Sequence, residues 1–363
     1  MMAGGVLINA RVTARATITG VERWAIELIP RLRALHPERY LTATPPPPAA
    51  SGPLGHLWEQ SLLPLRAAGV HAGLIFSPAN LAPLAWPRNV VIVHDAAVFR
   101  RPAAYTSGYR ALHRRLGAES ARRALAVVTV SEFSKLELVD LIGLDPASVH
   151  VIAGGVGERF TPDADSARVT ARLGLRRPYV LTVGTADERK NLAALSVAGR
   201  RLQSMGIDLI RAGDARPHFA QPAAVGGVRS VGYVDDHDLA GLYRGASAFV
   251  LVSLYEGLGL PCLEAMASGV PVVAADRAAL PETCGGAAIL VDPDDREAIA
   301  QAIERVLDDE PTRERLRAAG LRRAASFSWG RAASELDSLL AGVAAGAGSG
   351  SGSARPLASA GSG

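Results

Sequence analysis

The chain has 363 residues, 48% of them hydrophobic, which is too long for one ordinary core and suits two domains. It lacks a run of 18 uncharged apolar residues and a charged leader followed by an apolar stretch, so neither a membrane span nor a signal peptide is expected and a cytoplasmic location is. The two cysteines, Cys262 and Cys284, are too few for a disulfide framework or a cysteine zinc site, and the net charge of +4 lies wholly in the first half, where residues 1–165 carry 17 basic and 13 acidic side chains.

In chain order, short apolar runs alternate with amphipathic stretches, the pattern of a parallel sheet with helices on both faces. Strands are expected at 6–10, 74–77, 90–93, 126–130 and 149–152. Residues 42–55, with prolines at 45–48, read as a loop. The third run ends in His94-Asp95. In open α/β sheets ligands bind beyond the carboxyl ends of strands, so His94 either faces a cleft or packs while Asp95 caps the next helix.

The stretch from Tyr109 to Arg123 carries Arg110, Arg114, Arg115, Arg122 and Arg123. A helix there would have a cationic flank, either an ordinary solvated face or a peripheral contact with anionic lipid at the inner membrane face. No aromatic residues interleave with these arginines as a stacking platform for nucleic acid requires. Residues 160–165 are polar, contain a proline and separate two sets of strands. The second set is expected at 179–183, 207–212, 228–231, 248–252, 270–275 and 288–291, which makes two doubly wound α/β domains. Residues 346–363 are mostly Gly, Ser and Ala without periodicity and read as a disordered tail.

Two loops of the second half carry chemistry. Val183-Gly-Thr-Ala-Asp-Glu-Arg189-Lys190 places adjacent cations beyond a strand end, and Lys190 is one of only two lysines among 39 basic residues. Such a pair suits a departing diphosphate, or forms a surface ion pair with Asp187 and Glu188. Glu256-Gly-Leu-Gly-Leu-Pro-Cys-Leu-Glu264 follows an apolar strand and runs into a helix. A glycine loop at a helix N-terminus offers backbone N–H groups to an anion, and carboxylates accept hydrogen bonds from sugar hydroxyls, so a sugar nucleotide fits. The competing reading is a dinucleotide fingerprint, Gly257-x-Gly259-x-x-Cys262 with Asp276 about 20 residues on. It is weakened by the residue at the third glycine position and by two glutamates that would crowd a pyrophosphate. Cys262 reads as a small buried filler.

The run from Ser253 to Val273, with Glu256 and Glu264 within it, resembles the donor-site signature of family 4 retaining glycosyltransferases. Thr19-Gly20-Val-Glu-Arg23, Trp58-Glu-Gln60, Leu63-Pro64, Val93-His94-Asp95, Pro102 to Tyr105 and Thr129-Val-Ser-Glu-Phe-Ser-Lys135 recur in the order found in polysaccharide mannosyl- and rhamnosyl-transferases. Gly184 to Leu192, Gly232-Tyr233-Val234, Leu280-Pro-Glu282 and Phe327-Ser-Trp329 complete the series.

The resemblance implies a GT-B fold: an acceptor-binding Rossmann-like domain over residues 1–162, a nucleotide-sugar-binding one over 163–326, and a crossover helix over 327–345 packing back on the first. It also implies roles. Glu256 would hold hydroxyls of the transferred sugar and Glu264 the ribose. Arg189 and Lys190 would neutralise the diphosphate with N–H groups of Gly20, Gly257, Leu258, Gly259 and Leu260 nearby and Gly184 in the preceding loop; Gly232, Tyr233 and Val234 would edge the nucleobase, and His94 would touch the donor sugar.

No metal is expected, because the acidic pairs Asp163/Asp165 and Asp292/Asp294 sit in a linker and at a helix start. The expected activity is retaining transfer of a hexose from GDP-mannose or dTDP-rhamnose to a polysaccharide or lipid-linked acceptor, with a nucleotide-sugar epimerase of the same fold as the alternative. Thr185 stands where relatives place a phosphate-binding arginine, Val252 replaces a proline, and Asp276 to Leu280 replaces a serine-rich stretch.

Overall fold

A computed structural model of the protein describes residues 5–14, 20–214 and 225–346. Among these, two six-stranded sheets form, each wholly parallel. The first contains β1 (Val6–Asn9), β2 (Tyr40–Ala43), β3 (Leu74–Ser77), β4 (Asn89–Ile92), β5 (Ala126–Thr129) and β6 (Val149–Val151), in the order β2-β1-β3-β4-β5-β6. The second contains β7 (Tyr179–Val183), β8 (Asp208–Ala212), β9 (Val228–Gly232), β10 (Ala248–Leu251), β11 (Val272–Ala275) and β12 (Ala288–Val291), in the order β12-β11-β10-β7-β8-β9.

The central strands are apolar and β-branched because helices cover both sheet faces. Val90, Val91 and Ile92 of β4 and Phe249 and Val250 of β10 are fully buried. In both sheets the order runs outward in two directions from the first strands laid down, β1/β3 and β7/β10. Each sheet thus has a point where successive connections diverge, the place at which doubly wound folds open a crevice beyond the strand ends.

The sequence reading missed β2. Its four residues pair with β1 from Val6↔Tyr40 to Asn9↔Ala43, but it is an edge strand with Leu41 and Thr42 half-exposed, so no continuous apolar run marks it. The expected loop at 42–55 shrinks accordingly. Thr42 and Ala43 end β2, and from Gly52 the chain is already in helix Gly52–Gln60. Thr19 and the tail beyond residue 346 lie outside the described residues.

The C-terminal helix, Trp329–Gly346, lies against the first helix, Gly20–Leu35. Trp329 meets Trp24 edge to face, with ring centroids 5.2 Å apart. Asp337 accepts hydrogen bonds from Arg39 at 2.7 Å and Tyr40 at 2.6 Å. Helix Ser166–Arg172 instead packs on helix Asp236–Gly245 beside the second sheet. No described helix is long and apolar enough to cross a membrane.

Candidate active site

The site is built where loops from the carboxyl ends of β4, β5, β7 and β10 meet. After β10 the chain turns through Gly257 and Gly259 into helix Leu260–Ala267. Gly259 has φ +89° as the residue before that helix, a left-handed conformation that favours glycine. Gly257 is held close to the first sheet's loops: a Cβ there would lie 2.7 Å from the His94 carbonyl oxygen and 2.9 Å from the Asp95 Cβ. The hydrogen bonds of the described residues leave the N–H groups of Gly257, Leu258 and Gly259 without an acceptor. Unpaired donors of this kind at a helix N-terminus are what an anion uses.

Glu256 and Glu264 are both buried, at 9% and 6% exposure, and their partners differ. Glu256 accepts a hydrogen bond from Lys190 Nζ at 2.5 Å. Glu264 accepts one from the Tyr243 hydroxyl at 2.9 Å and lies 3.9 Å from Arg23. Burial raises the Glu264 carboxyl above its ordinary range, and Arg23 and Tyr243 offset only part of that. Glu264 is the fifth residue of its helix. Leu258 and Leu260 turn inward as apolar walls, and the Leu258 carbonyl accepts from Thr283.

Arg189 is buried, with its guanidinium on Asp187 through bonds of 3.0 and 3.2 Å and lying 5.4 Å over the Tyr105 ring of the first half. Asp187 also accepts from the Arg189 amide at 3.0 Å and from Thr185 at 2.5 Å. Burial opposes the Arg189 charge, but the facing tyrosine and carboxylates outweigh it and keep the guanidinium protonated. The ion pair with Asp187 considered from sequence is therefore real, although buried instead of on the surface. Gly184 sits against the Lys190 side chain, whose Cε would be 3.0 Å from a Cβ added there.

His94 is 7% exposed and packs edge-on to Trp24 at 5.4 Å. Its Nε2 lies 3.1 Å from the Pro78 carbonyl oxygen. A carbonyl only accepts, so Nε2 carries the proton and Nδ1 of the neutral ring keeps its lone pair. Burial lowers the His94 pKa and favours that neutral form. Asp95 accepts from the Ala97 amide at 2.8 Å, although the N-cap position of helix Ala97–Arg100 is Ala96.

The structure thus brings Lys190 to Glu256 and the Gly257 loop to the His94 backbone, with Arg189 next to Lys190 and Glu264 further along the helix with Tyr243 and Arg23. Gly20 is exposed at the start of its helix. Gly232, with φ +73°, ends edge strand β9, followed by a half-exposed Tyr233 and a buried Val234.

Three contacts between the halves were not read from the sequence. Arg23 grips Asp236 through both terminal nitrogens, at 2.8 and 2.5 Å. Ser131 and Ser134 donate to the Gly257 carbonyl at 2.5 and 3.1 Å. Glu282 accepts from the Glu132 and Phe133 amides at 2.9 and 3.0 Å. All of these residues except Asp236 lie in the quoted motifs, yet their partners are 123 to 213 residues away.

Three residues of the acidic pairs, Asp165, Asp292 and Asp294, are otherwise engaged. Asp165 caps helix Ser166–Arg172, and Asp292 and Asp294 pair with Arg277 at 3.3 and 2.8 Å. The cap of helix Arg296–Asp308 is the next residue, Asp295, not the pair itself. Of the Asp235, His237 and Asp238 group, Asp238 is bound by Arg168 and Arg172 and Asp235 caps its helix. Cys262 and Cys284 are free and fully buried.

The segment from Tyr109 to Arg123 is less regular than expected. Helices Ser107–Leu112 and Ala118–Arg123 flank a π-helical turn, His113–Gly117. Arg114, Arg115, Arg122 and Arg123 are exposed, the last two beside Glu119.

Residues 18–160 match the family model Glycosyltransferase Family 4, and residues 177–309 match Glycosyl transferases group 1. The chain is 34% identical over 255 residues to the O-antigen chain mannosyltransferase B of Escherichia coli, spanning 67% of each chain. It is 28% identical over 275 residues to the serotype-specific mannosyltransferase WbdA of Escherichia coli, covering 70% of this chain but only 33% of that protein. Among solved structures, sucrose-phosphate synthase from Thermosynechococcus elongatus superposes with a TM-score of 0.74 at 22% identity, over 94% of this chain and 99% of that one. The two sheets are therefore the two Rossmann-like halves of a GT-B fold, and both the dehydrogenase and the epimerase readings fall away.

Proposed function

The chain belongs to glycosyltransferase family 4, and from that premise we propose that it moves a hexose, mannose or a related sugar, from a nucleotide-sugar donor to a polysaccharide or lipid-linked saccharide. The observation that carries the reading is the buried Lys190–Glu256 pair beside the open N–H groups of the Gly257 loop. A diphosphate entering there meets the lysine and the backbone donors, while Glu256 is released to accept hydroxyls of the sugar. The mannosyltransferase relatives support mannose as the sugar and GDP-mannose as the first donor to test.

Breaking the anomeric C–O bond builds negative charge on the diphosphate and positive charge on the sugar ring. Lys190, Arg189 and the loop N–H groups are held in place before the reaction, Arg189 on Asp187 and Lys190 on Glu256, so they stabilise the developing charge without reorganising. Glu264, one helical turn beyond the loop, would hold the ribose hydroxyls against Tyr243, and Gly232 to Val234 would edge the base. Neutral His94 presents Nδ1 as an acceptor for a donor-sugar hydroxyl. Two buried cations support a transfer that needs no metal, and the engagement of the acidic pairs with Arg277 and helix caps agrees with it. Retention of configuration would follow from attack on the face the diphosphate leaves, assisted by its departing oxygen.

A thermal-shift screen of GDP-, UDP- and dTDP-sugars tests the donor. A ligand at 100 times its Kd stabilises by about 2.7 kcal/mol, so one nucleotide should stand out, and no shift with any of them would count against the reading. Proton NMR of the product tests retention: an α-linked sugar from an α-configured donor is expected, and a β-linked one would overturn it.

A further inference from the structure

Arg23, near the start of helix Gly20–Leu35, is a buried cation of the first half that faces two carboxylates of the second. Its terminal nitrogens donate to the two oxygens of Asp236 at 2.8 and 2.5 Å, and its Nε lies 3.9 Å from Glu264 Oε1. The guanidinium is one rigid plane, so fixing its outer edge on Asp236 also fixes where Nε stands. At 3.9 Å the contact with Glu264 is an attraction between charges, too long for a hydrogen bond.

The two oxygens of Glu264 are unlike. Oε2 accepts from the Tyr243 hydroxyl at 2.9 Å. Oε1 accepts no hydrogen bond from any described residue and has the Arg23 charge beside it. A buried carboxylate oxygen without a donor carries a desolvation cost that a ligand hydroxyl removes.

The charges of this cluster balance when Glu264 is ionised. Asp236 already has a second cation, Arg159 at 3.2 Å, so Arg23 and Arg159 stand against Asp236 and Glu264. Glu27, which also acts on Arg23, is paired with Arg31 at 2.6 Å. Burial raises the Glu264 carboxyl; Arg23 leads the groups that oppose the rise, followed by Tyr243 and Arg159, while Asp236 adds to it. Burial opposes the Arg23 charge too, but Asp236 and Glu264 outweigh it and keep the guanidinium protonated.

We propose that Arg23 is a positioning residue of the donor site: held end-on by Asp236, it sustains the Glu264 carboxylate from the opposite half and leaves Oε1 open to a ribose hydroxyl. Arg23 and Glu264 belong to different halves, so nucleotide affinity then depends on the halves being joined. Loss of the guanidinium strands a buried carboxyl, which takes up a proton instead of serving the ligand as a charged acceptor. An ion pair that merely joined the halves through Asp236 would give nucleotide binding no pH signature. Only the identity of the ligand group, the ribose, rests on the proposed function.

The test is calorimetric titration of the full chain with GDP, UDP and dTDP, without sugar or acceptor, from neutral to acid pH. Native protein should bind one of them, with affinity falling towards acid as Glu264 takes up a proton. Removing the positive charge raises the Glu264 carboxyl further, so Arg23→Gln should move this fall to higher pH and weaken binding about tenfold in the mildly acid range, with less effect at neutral pH. Arg23→Lys, which keeps the charge, should restore the native pH profile. Arg23→Met keeps the packing of the stem without the charge and serves if Arg23→Gln does not fold, as melting curves will show. In a Glu264→Gln background, loss of the Arg23 charge should cost less and show no dependence on pH. A loss that is the same at every pH, or equal in both backgrounds, would overturn the proposal while leaving the proposed function standing. Failure of well-folded native protein to bind any of the three nucleotides would overturn both.

Discussion

The Ser131 hydroxyl donates to the Gly257 carbonyl oxygen at 2.5 Å, tying the first half to the glycine loop of the second. In a trans peptide the carbonyl and the following N–H point in opposite directions, so this bond also aims the Leu258 N–H away from helix Glu132–Ile142. Ser134 adds a second hydroxyl at 3.1 Å. Ser131→Ala/Ser134→Ala should therefore lower kcat by about 10²-fold, the scale of a misplacement near 1 Å, with a smaller change in donor KM. Ser131 also caps its helix by accepting from the Ser134 amide, worth about 1 kcal/mol, so a melting curve run in parallel separates the two effects. Rescue of kcat by Ser131→Thr is expected, and loss of stability with kcat intact would contradict the account.

Gly257→Ala places a methyl group 2.7 Å from the His94 carbonyl oxygen and 2.9 Å from the Asp95 Cβ. Both contacts are with the first half, so the expected result is two folded halves held further apart. Transfer should fall by two orders of magnitude or more, about what displacement near the reacting atoms costs, with the circular dichroism spectrum unchanged. Full activity in this variant would show that the close approach is not needed for turnover.

Lys190 and Glu256 are each 11% exposed at the side chain and 2.5 Å apart. Removing one member of a buried pair strands the other at a cost of about 3–5 kcal/mol. Glu256→Ala should therefore lose stability as well as activity. Glu256→Gln is the cleaner variant, because it keeps an acceptor for Lys190. It should abolish transfer while denaturant unfolding shows a smaller loss than for Glu256→Ala; equal losses would mean that the pair is not what Glu256 contributes to folding.

Burial raises the Glu264 pKa despite Arg23 and Tyr243. A carboxyl raised in the folded state contributes stability that is complete below its unfolded pKa and is lost as pH rises through the folded one. Urea unfolding of the native protein and Glu264→Gln should therefore diverge from the ordinary glutamate range upward, with the native protein losing ground to the variant. Parallel curves across that range would place Glu264 outside the buried environment described here.

Eleven of the twelve described strands were legible: the central ones because parallel strands covered on both faces must be apolar throughout, and the edge strands β6, β9 and β12 from their short valine-bearing runs. β2, Tyr40–Ala43, escaped because its four residues form no continuous apolar run. The two glutamates, Lys190 and His94 were legible because loops after strands carry the chemistry of such sheets, and local spacing placed them. What joins the halves was not legible. Arg23 meets Asp236 across 213 residues, and nothing local to either side chain names the other. The Arg189–Asp187 pair, by contrast, was open to the sequence; its burial, which turns a surface charge into an aimed one, was not.

The most direct test of the central claim is transfer from radiolabelled GDP-mannose, with UDP- and dTDP-sugars in parallel, by native protein and by Glu256→Gln. The account predicts labelled saccharide and released nucleoside diphosphate from one donor with native protein, and neither with the variant although it is folded. Equal transfer by both proteins, or no transfer and no donor hydrolysis by well-folded native protein with any donor, would contradict it.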